Sequence, residues 1–174
     1  NKLLSTVCYR IDNKTTYALE GSIFVAGAAI QWLRDKLKII KNANLTEKIS
    51  RKQKNNNNLY LVPAFTGLGA PYWKPDARGT LVGITRDTER DHVIRATLES
   101  IAYQSSDLLN AMQKDGIKPF IVKVDGGMVQ NNWLMQFISD VLNLPIYRPK
   151  VHETTALGAA LIAGYGIGIY KSLS

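Results

Sequence analysis

From Leu59 onward the apolar residues keep changing period, and this alternation limits the possible folds more than any other feature of the chain. Leu59-Tyr60-Leu61-Val62 is a short β-prone run that Pro63 ends. Leu81 to Ile84, Phe120 to Val124 and Pro145-Ile146-Tyr147 are three more. Between them the spacing turns helical. Val93, Ile94, Ala96, Leu98, Ile101, Ala102, Leu108 and Leu109 predict a long helix from Arg90 to about Met112, stopped by Gly116. Trp133, Leu134, Phe137, Ile138, Val141 and Leu142 predict another. Thr154-Thr155 then caps a small-residue helix from Ala156 to about Tyr165. Strands that alternate with helices predict an α/β domain with a largely parallel sheet. A chain of 174 residues with 45% apolar residues can bury one such core and is short for two domains.

The first third reads less clearly. A polar turn at Asp12-Asn13-Lys14 leads into a β-prone stretch, Thr16 to Glu20. Ser22 offers an N-cap, and Ile23, Ala26, Ala29, Ile30, Leu33, Leu37 and Ile40 recur at helical spacing, so an amphipathic helix is expected over 22–41. Residues 64–79 hold Gly, Pro and aromatics without a period, which predicts an ordered loop anchored by Tyr72 and Trp73. The small residues Gly158, Ala159, Ala160 and Gly164 predict close packing of the last helix on a sheet.

Net charge is +8, but it is concentrated. Between Arg34 and Lys54 stand eight Lys and Arg against only Asp35 and Glu47. Four asparagines, Asn55 to Asn58, follow. A solvated helix end and a mobile surface loop are expected there. A nucleic-acid contact would want aromatic or base-reading partners nearby, and the segment has none. A single cysteine, Cys8, excludes an internal disulfide and reads as a small core residue in a strand; a reducing, cytoplasmic setting is expected. No apolar run reaches the ~18 residues of a membrane span, so no membrane partner is expected. The absence of an initial methionine agrees with a piece of a longer chain.

The clearest site signal is the strand–turn–helix at 120–143. Asp125-Gly126-Gly127 lets backbone approach a ligand, and a helix beginning near Asn131 is expected to aim free amides and the positive end of its dipole at the same place. That suits a nucleotide, with Asn131 and Asn132 able to pair with a base or ribose edge. A plain tight connection has the same pattern. Gly27 and Gln31 lie one helical turn apart on one face. They admit and hydrogen-bond a ligand, or they are a helix contact and a surface amide; spacing alone favours the second.

Catalytic groups are sparse. His92 and His152 stand apart from any metal-ligand spacing, His92 reading as solvated or capping, and no metal site is expected. Ser, His and Asp are present without a nucleophile elbow. Asp125 reads as a turn cap before a magnesium contact, Glu99 as a single carboxylate, and Arg78 and Arg86 as surface ion-pair partners before phosphate contacts. No catalytic residue is assigned within the chain.

Several stretches nevertheless resemble one family in its order. Residues 64–79, AFTGLGAPYWKPDARG, are similar to a loop of the glycerol kinases within the FGGY carbohydrate-kinase family. Gly79 to Ile84 followed by His92 to Glu99, HVIRATLE, fits that family's second signature. Residues 17–21, 27–35, 124–127 with Asn131-Asn132, and 154–160 are also similar. The resemblance implies an actin-like ATPase (ribonuclease H-like) fold, a mixed sheet flanked by helices, in which residues 1–174 form a C-terminal nucleotide-binding domain incomplete at both ends, with the N-terminal domain absent. It implies ATP or ADP as cofactor with Mg2+ on the phosphates. Gly27 and Gln31 match nucleotide-contacting positions, Gly127 a position whose backbone lies against the nucleotide, and Asn131 one at its adenine end. The implied reaction is phosphorylation of glycerol to glycerol 3-phosphate. Glycerol, the general base and the first phosphate loop belong upstream, so the chain alone is expected to be inactive, and a face without its partner domain invites self-association. Another polyol or sugar kinase of the family, or a non-catalytic interaction or nucleic-acid-binding fragment, are the competing readings.

Overall fold

The computed structural model describes residues 2–151 and 153–172; His152, read above as isolated, lies outside them. Strands β1 (Leu4–Ile11) and β2 (Lys14–Glu20) form an antiparallel hairpin. Its turn holds Asp12 and Asn13 at φ 49° and 62°, the left-handed geometry that Asp and Asn tolerate and that matches strand twist. Among the described residues these strands pair only with each other. Most of β1 is exposed, and Cys8 is exposed rather than in a core.

The helix expected over 22–41 is shorter. Helix α1 (Gly27–Gln31) passes into one wider π-helical turn, Trp32–Lys36, where Leu37 N donates to Trp32 O at 3.0 Å. Ser22 does not cap it; the Ser22 carbonyl instead accepts from Ala70 N at 3.0 Å, tying the approach to the 64–79 loop. Lys38, at φ 56°, turns the chain, so Ile40 enters the core from outside the helix.

The basic segment is not a bare loop. It holds helix α2 (Leu45–Lys52), whose Thr46 and Ser50 are buried. The asparagines after it form a hydrogen-bonded turn: Asn57 N donates to Asn55 Oδ1 at 2.9 Å and Asn58 N to Asn56 Oδ1 at 3.1 Å. Asn56 is buried, and its Nδ2 donates to Glu99 Oε2 at 2.8 Å. Short polar side chains satisfy this backbone locally, which a count of apolar residues misses.

Strand β3 (Tyr60–Val62) pairs antiparallel with β4 (Thr80–Val82). The loop between them is anchored as expected: Tyr72 OH donates to Asp107 at 2.7 Å and Trp73 Nε1 to Lys2 O at 2.7 Å. Helix α3 (Arg90–Lys114) opens with a capping box in which Glu89 N donates to His92 Nδ1 at 3.0 Å, so His92 is a cap. Strand β5 (Val122–Lys123) pairs parallel with β6 (Ile146–Tyr147), helix α4 (Asn132–Leu142) lies between them in sequence, and α5 (Thr154–Gly166) follows. Among the described residues the pairing is mixed, in three two-stranded sheets, rather than one largely parallel sheet. An irregular loop, not a helix, joins β3 to β4, so nothing forces a parallel crossover there.

The core joins α1, α3 and α4 through Ile30, Leu33, Ile94, Leu98, Ile101, Leu134 and Ile138. Each fully buried side chain of this size contributes about 1.5–3 kcal/mol. The expected packing of α5 on a sheet is absent: a Cβ added at Gly158 would meet nothing within 4 Å, and Leu157, Leu161 and Ile162 are exposed. Only Gly164 is tight, against the Tyr170 ring. Among the described residues no helix is long and apolar enough to cross a membrane.

One ion pair sits inside this packing. Arg95 Nε lies 2.7 Å from Glu99 Oε1, with side-chain exposures of 13% and 4%. Arg95 also donates to the carbonyls of Ser50, at 3.3 Å, and Gln53, and its guanidinium carbon stands 5.0 Å from the Trp133 ring centroid. Arg95→Met, which strands Glu99, is expected to lower unfolding free energy by about 3–5 kcal/mol; urea denaturation giving a loss under about 1 kcal/mol would contradict the assignment. Partial burial of its ring, with the negative charge of Glu99 behind it, pushes the Tyr103 hydroxyl up to about 12, although the residue is 38% exposed. Its folded value exceeds its unfolded one, so its stabilising effect is present below pH ~10 and lost as pH rises toward 12. A spectrophotometric titration of wild type minus Tyr103→Phe is expected to show one phenol ionising near pH 12; one near 10 would contradict the burial.

Candidate functional site

Helix α1, helix α2 and the turn after β5 enclose a pocket of 540 Å³. Gly27 and Gln31 of α1, with Arg34 of the π-helical turn after it, form the first wall, and Ile30 with Leu98 of α3 the apolar floor. Ala43, Asn44, Thr46 and Glu47 form a second wall. Gly127, Met128, Gln130 and Asn131 form the third. The four residues singled out in the sequence, Gly27, Gln31, Gly127 and Asn131, thus line one cavity although they come from two distant segments.

Each wall has a local cause. Gly126 takes φ 93°, and a Cβ at Gly126 or Gly127 would meet nothing within 4 Å, so this backbone faces open space. Gly127–Gln130 is a single 3-10 turn, with Val129 N bonded to Gly126 O at 3.2 Å. Asp125 accepts from Thr154 Oγ1, tying the turn to the start of α5, in keeping with a capping role. At Gly27 an added Cβ would lie 3.6 Å from Met128 Sδ, an ordinary contact. The glycine is therefore not needed for helix contact, and anything longer than a methyl would enter the pocket.

The third wall differs from the sequence expectation. Two of the amides at the start of α4 are already taken. Asn131 Oδ1 accepts from Leu134 N at 2.9 Å as the helix N-cap, and Asn132 N donates to Glu47 Oε2 at 3.2 Å. A carboxylate from α2 occupies the place where an anion was expected. Asn131 Nδ2 also donates to Thr46 Oγ1 at 3.2 Å, which leaves one amide hydrogen and one oxygen lone pair of Asn131 for anything else. Asn132 turns outward, its Nδ2 to Glu47 at 3.4 Å and its Oδ1 to Arg148 at 2.8 Å.

Glu47 holds a negative charge at this end. Burial works against its ionisation, but hydrogen bonds from Arg51 and from Asn132 outweigh burial and hold it below the usual carboxylate range. Arg34, across the pocket, is paired with Asp35 at 2.6 Å. Thr46 and Glu47 were missed in the sequence; no motif marks them, and the surrounding charge run reads as solvated surface. Arg78 donates to the carbonyls of Pro75 and Ala77 in its own loop. Among the described residues no group of three or more His, Cys, Asp or Glu could hold a metal ion.

The model of the FGGY family of carbohydrate kinases, C-terminal domain, matches residues 3–167. A glycerol kinase of Alcanivorax borkumensis is 61% identical over 174 residues, which cover 99% of this chain and 35% of that protein. One from Alkaliphilus oremlandii is 59% identical over 172 residues, covering 98% and 34%. The structure of Plasmodium falciparum glycerol kinase with ADP matches at a TM-score of 0.89 and 43% identity, covering 98% of this chain and 34% of that one. Xylulose kinase of Lactobacillus acidophilus, at TM-score 0.82 and 24% identity, shares the fold. The chain spans about a third of the length of the curated relatives it matches. Its α/β architecture is the actin-like ATPase fold of these kinases. With the match running from residue 3 to residue 167, the chain belongs to the FGGY family of carbohydrate kinases, in its C-terminal domain.

Proposed function

We propose that this chain is the adenine-nucleotide lobe of a cytoplasmic glycerol kinase, which transfers the γ-phosphoryl group of ATP to a glycerol hydroxyl to give glycerol 3-phosphate and ADP. The observation that carries the reading is the convergence of Gly27, Gln31, Gly127 and Asn131 on one pocket. The ADP in the Plasmodium relative's structure, and the identity to glycerol kinases over nearly the whole chain, support the ligand and the substrate.

The bare Gly127 backbone leaves room for phosphates, and Gln31 and Asn131 offer polar groups to a base or ribose edge, so the phosphates are assigned to the glycine turn and the base to the wall that carries Glu47, whose charge is matched by Arg51. Gln31 is exposed at its wall and free to hydrogen-bond a ribose or base edge. The residues fit a nucleotide. They do not fit a resident metal: Glu47 is paired and Asp125 is bonded to Thr154. Mg2+ would arrive on the phosphates, where it neutralises charge during transfer.

One wall cannot align a hydroxyl with the γ-phosphorus. Phosphoryl transfer is positioning and charge stabilisation from both sides of a cleft, and glycerol is assigned to polypeptide outside these residues. The purified 174-residue chain is expected to give no glycerol-dependent ADP release above blank. Turnover would contradict the division of labour.

ADP is expected to raise the melting temperature, as a ligand of the folded state must, while a DNA duplex leaves it unchanged. The reverse pattern would favour the nucleic-acid reading. Gly27→Leu is expected to weaken ADP binding at least tenfold by calorimetry with little change in the ligand-free melting temperature, and Gly27→Ala to be near neutral. Equal binding by Gly27→Leu would place the nucleotide elsewhere.

A further inference from the structure

We propose that the buried Arg95–Glu99 pair is a positioning device for the base-facing wall of the pocket, a role that rests on the nucleotide reading above. The pair is costly where it stands. Two charges removed from water are often no more stable than two apolar side chains of the same size, so stability alone does not account for them. What they do is reach out of α3 to everything that carries Thr46 and Glu47. Arg95 serves the Ser50 and Gln53 carbonyls at the end of α2, and Glu99 takes the Asn56 amide from the turn that follows. The same guanidinium lies over Trp133 at the start of α4, and Trp133 stacks on Phe137 with centroids 5.1 Å apart. One ion pair therefore fixes α2 against α4.

The consequence appears at the pocket. Thr46 reaches Asn131, and Glu47 reaches Asn132, only while α2 holds this place against α4. Leu98, which floors the pocket, is the residue before Glu99. None of the clamp residues lines the pocket, so Arg95, Glu99 and Asn56 act through α2. A carbonyl needs a donor at a set distance and angle, whereas apolar contact lets a helix slide. The polar clamp fixes the register that hydrophobic burial leaves loose.

The test replaces both charges at once. In the 174-residue chain, Arg95→Met with Glu99→Leu leaves no stranded ion. The urea midpoint is expected to fall by less than in Arg95→Met, since no charge is left unpaired. Amide exchange in 45–52 is expected to rise at least tenfold while exchange in α4 stays unchanged. The dissociation constants for ADP and for adenosine are expected to rise together by about tenfold, since the disturbed wall faces the base. A purely structural pair would leave the affinity of the folded chain untouched. Wild-type α2 exchange and wild-type affinity in the double variant would overturn the proposal and leave the nucleotide reading intact. A rise for ADP alone would also overturn it, by placing the disturbed wall at the phosphates. Failure of the wild-type chain to bind ADP would overturn both. If the double variant does not fold, Asn56→Ala, which removes one arm of the clamp, is expected to give faster α2 exchange and about threefold weaker binding of both ligands; no change in either would contradict the proposal.

Discussion

A charge buried inside a helix must be answered where it stands, and in this chain that requirement fixes the rest of the arrangement. Glu99 is 4% exposed at its side chain and is met by Arg95 one turn earlier, by Asn56 and by Tyr103. Arg95 is met in turn by two carbonyls from α2 and by the Trp133 face. These partners come from separate segments. Any of them displaced would leave a buried polar group without its bond, at a cost of about 1–3 kcal/mol or more for a charge. The pair thus converts the loose adhesion of α2, α3 and α4 into one geometry. The pocket is a by-product of that geometry.

How far the sequence revealed this depends on the kind of residue involved. Helices α3 and α4 were legible because their apolar residues recur at 3.6 over many turns, and the burial of Ile94, Leu98, Leu134 and Ile138 follows that pattern. Helix α2 was not legible, because its fully buried residues are Thr46 and Ser50. Hydrophobic periodicity is blind to a polar face that is buried. The asparagine run misled for the same reason: Asn56 is a buried hydrogen-bond donor, not a solvated side chain. Sheet pairing was misread because alternation along the chain says nothing about which strands meet, and the irregular loop between β3 and β4 allowed an antiparallel return.

The site divides likewise. Gly27 and Gln31 share a face by helical spacing, yet spacing could not choose between ligand and packing. The family resemblance supplied the choice, and the ordinary 3.6 Å contact that a Cβ at Gly27 would make with Met128 Sδ is consistent with it. Asn131 was found as a candidate at the start of an expected helix, which it caps, but its bond to Thr46 depends on α2, a helix absent from the sequence reading. Glu47 was counted only as one of two acids in a basic stretch. Its effect on the pocket follows from the hydrogen bonds that keep it ionised. Paired with Arg51, it marks one end of the cavity with polar groups, while the glycine turn leaves the other end bare.

The role proposed for this pocket depends on its taking an adenine nucleotide. A titration of the isotope-labelled chain with ADP, followed by the backbone amide resonances, tests it. Saturable shifts are expected at Gly27, Gln31, Thr46, Gly127 and Asn131, with the β1–β2 hairpin and α5 undisturbed. Shifts centred instead on Arg51, Gln136 and Arg148, or scattered over the basic surface without saturation, would contradict it.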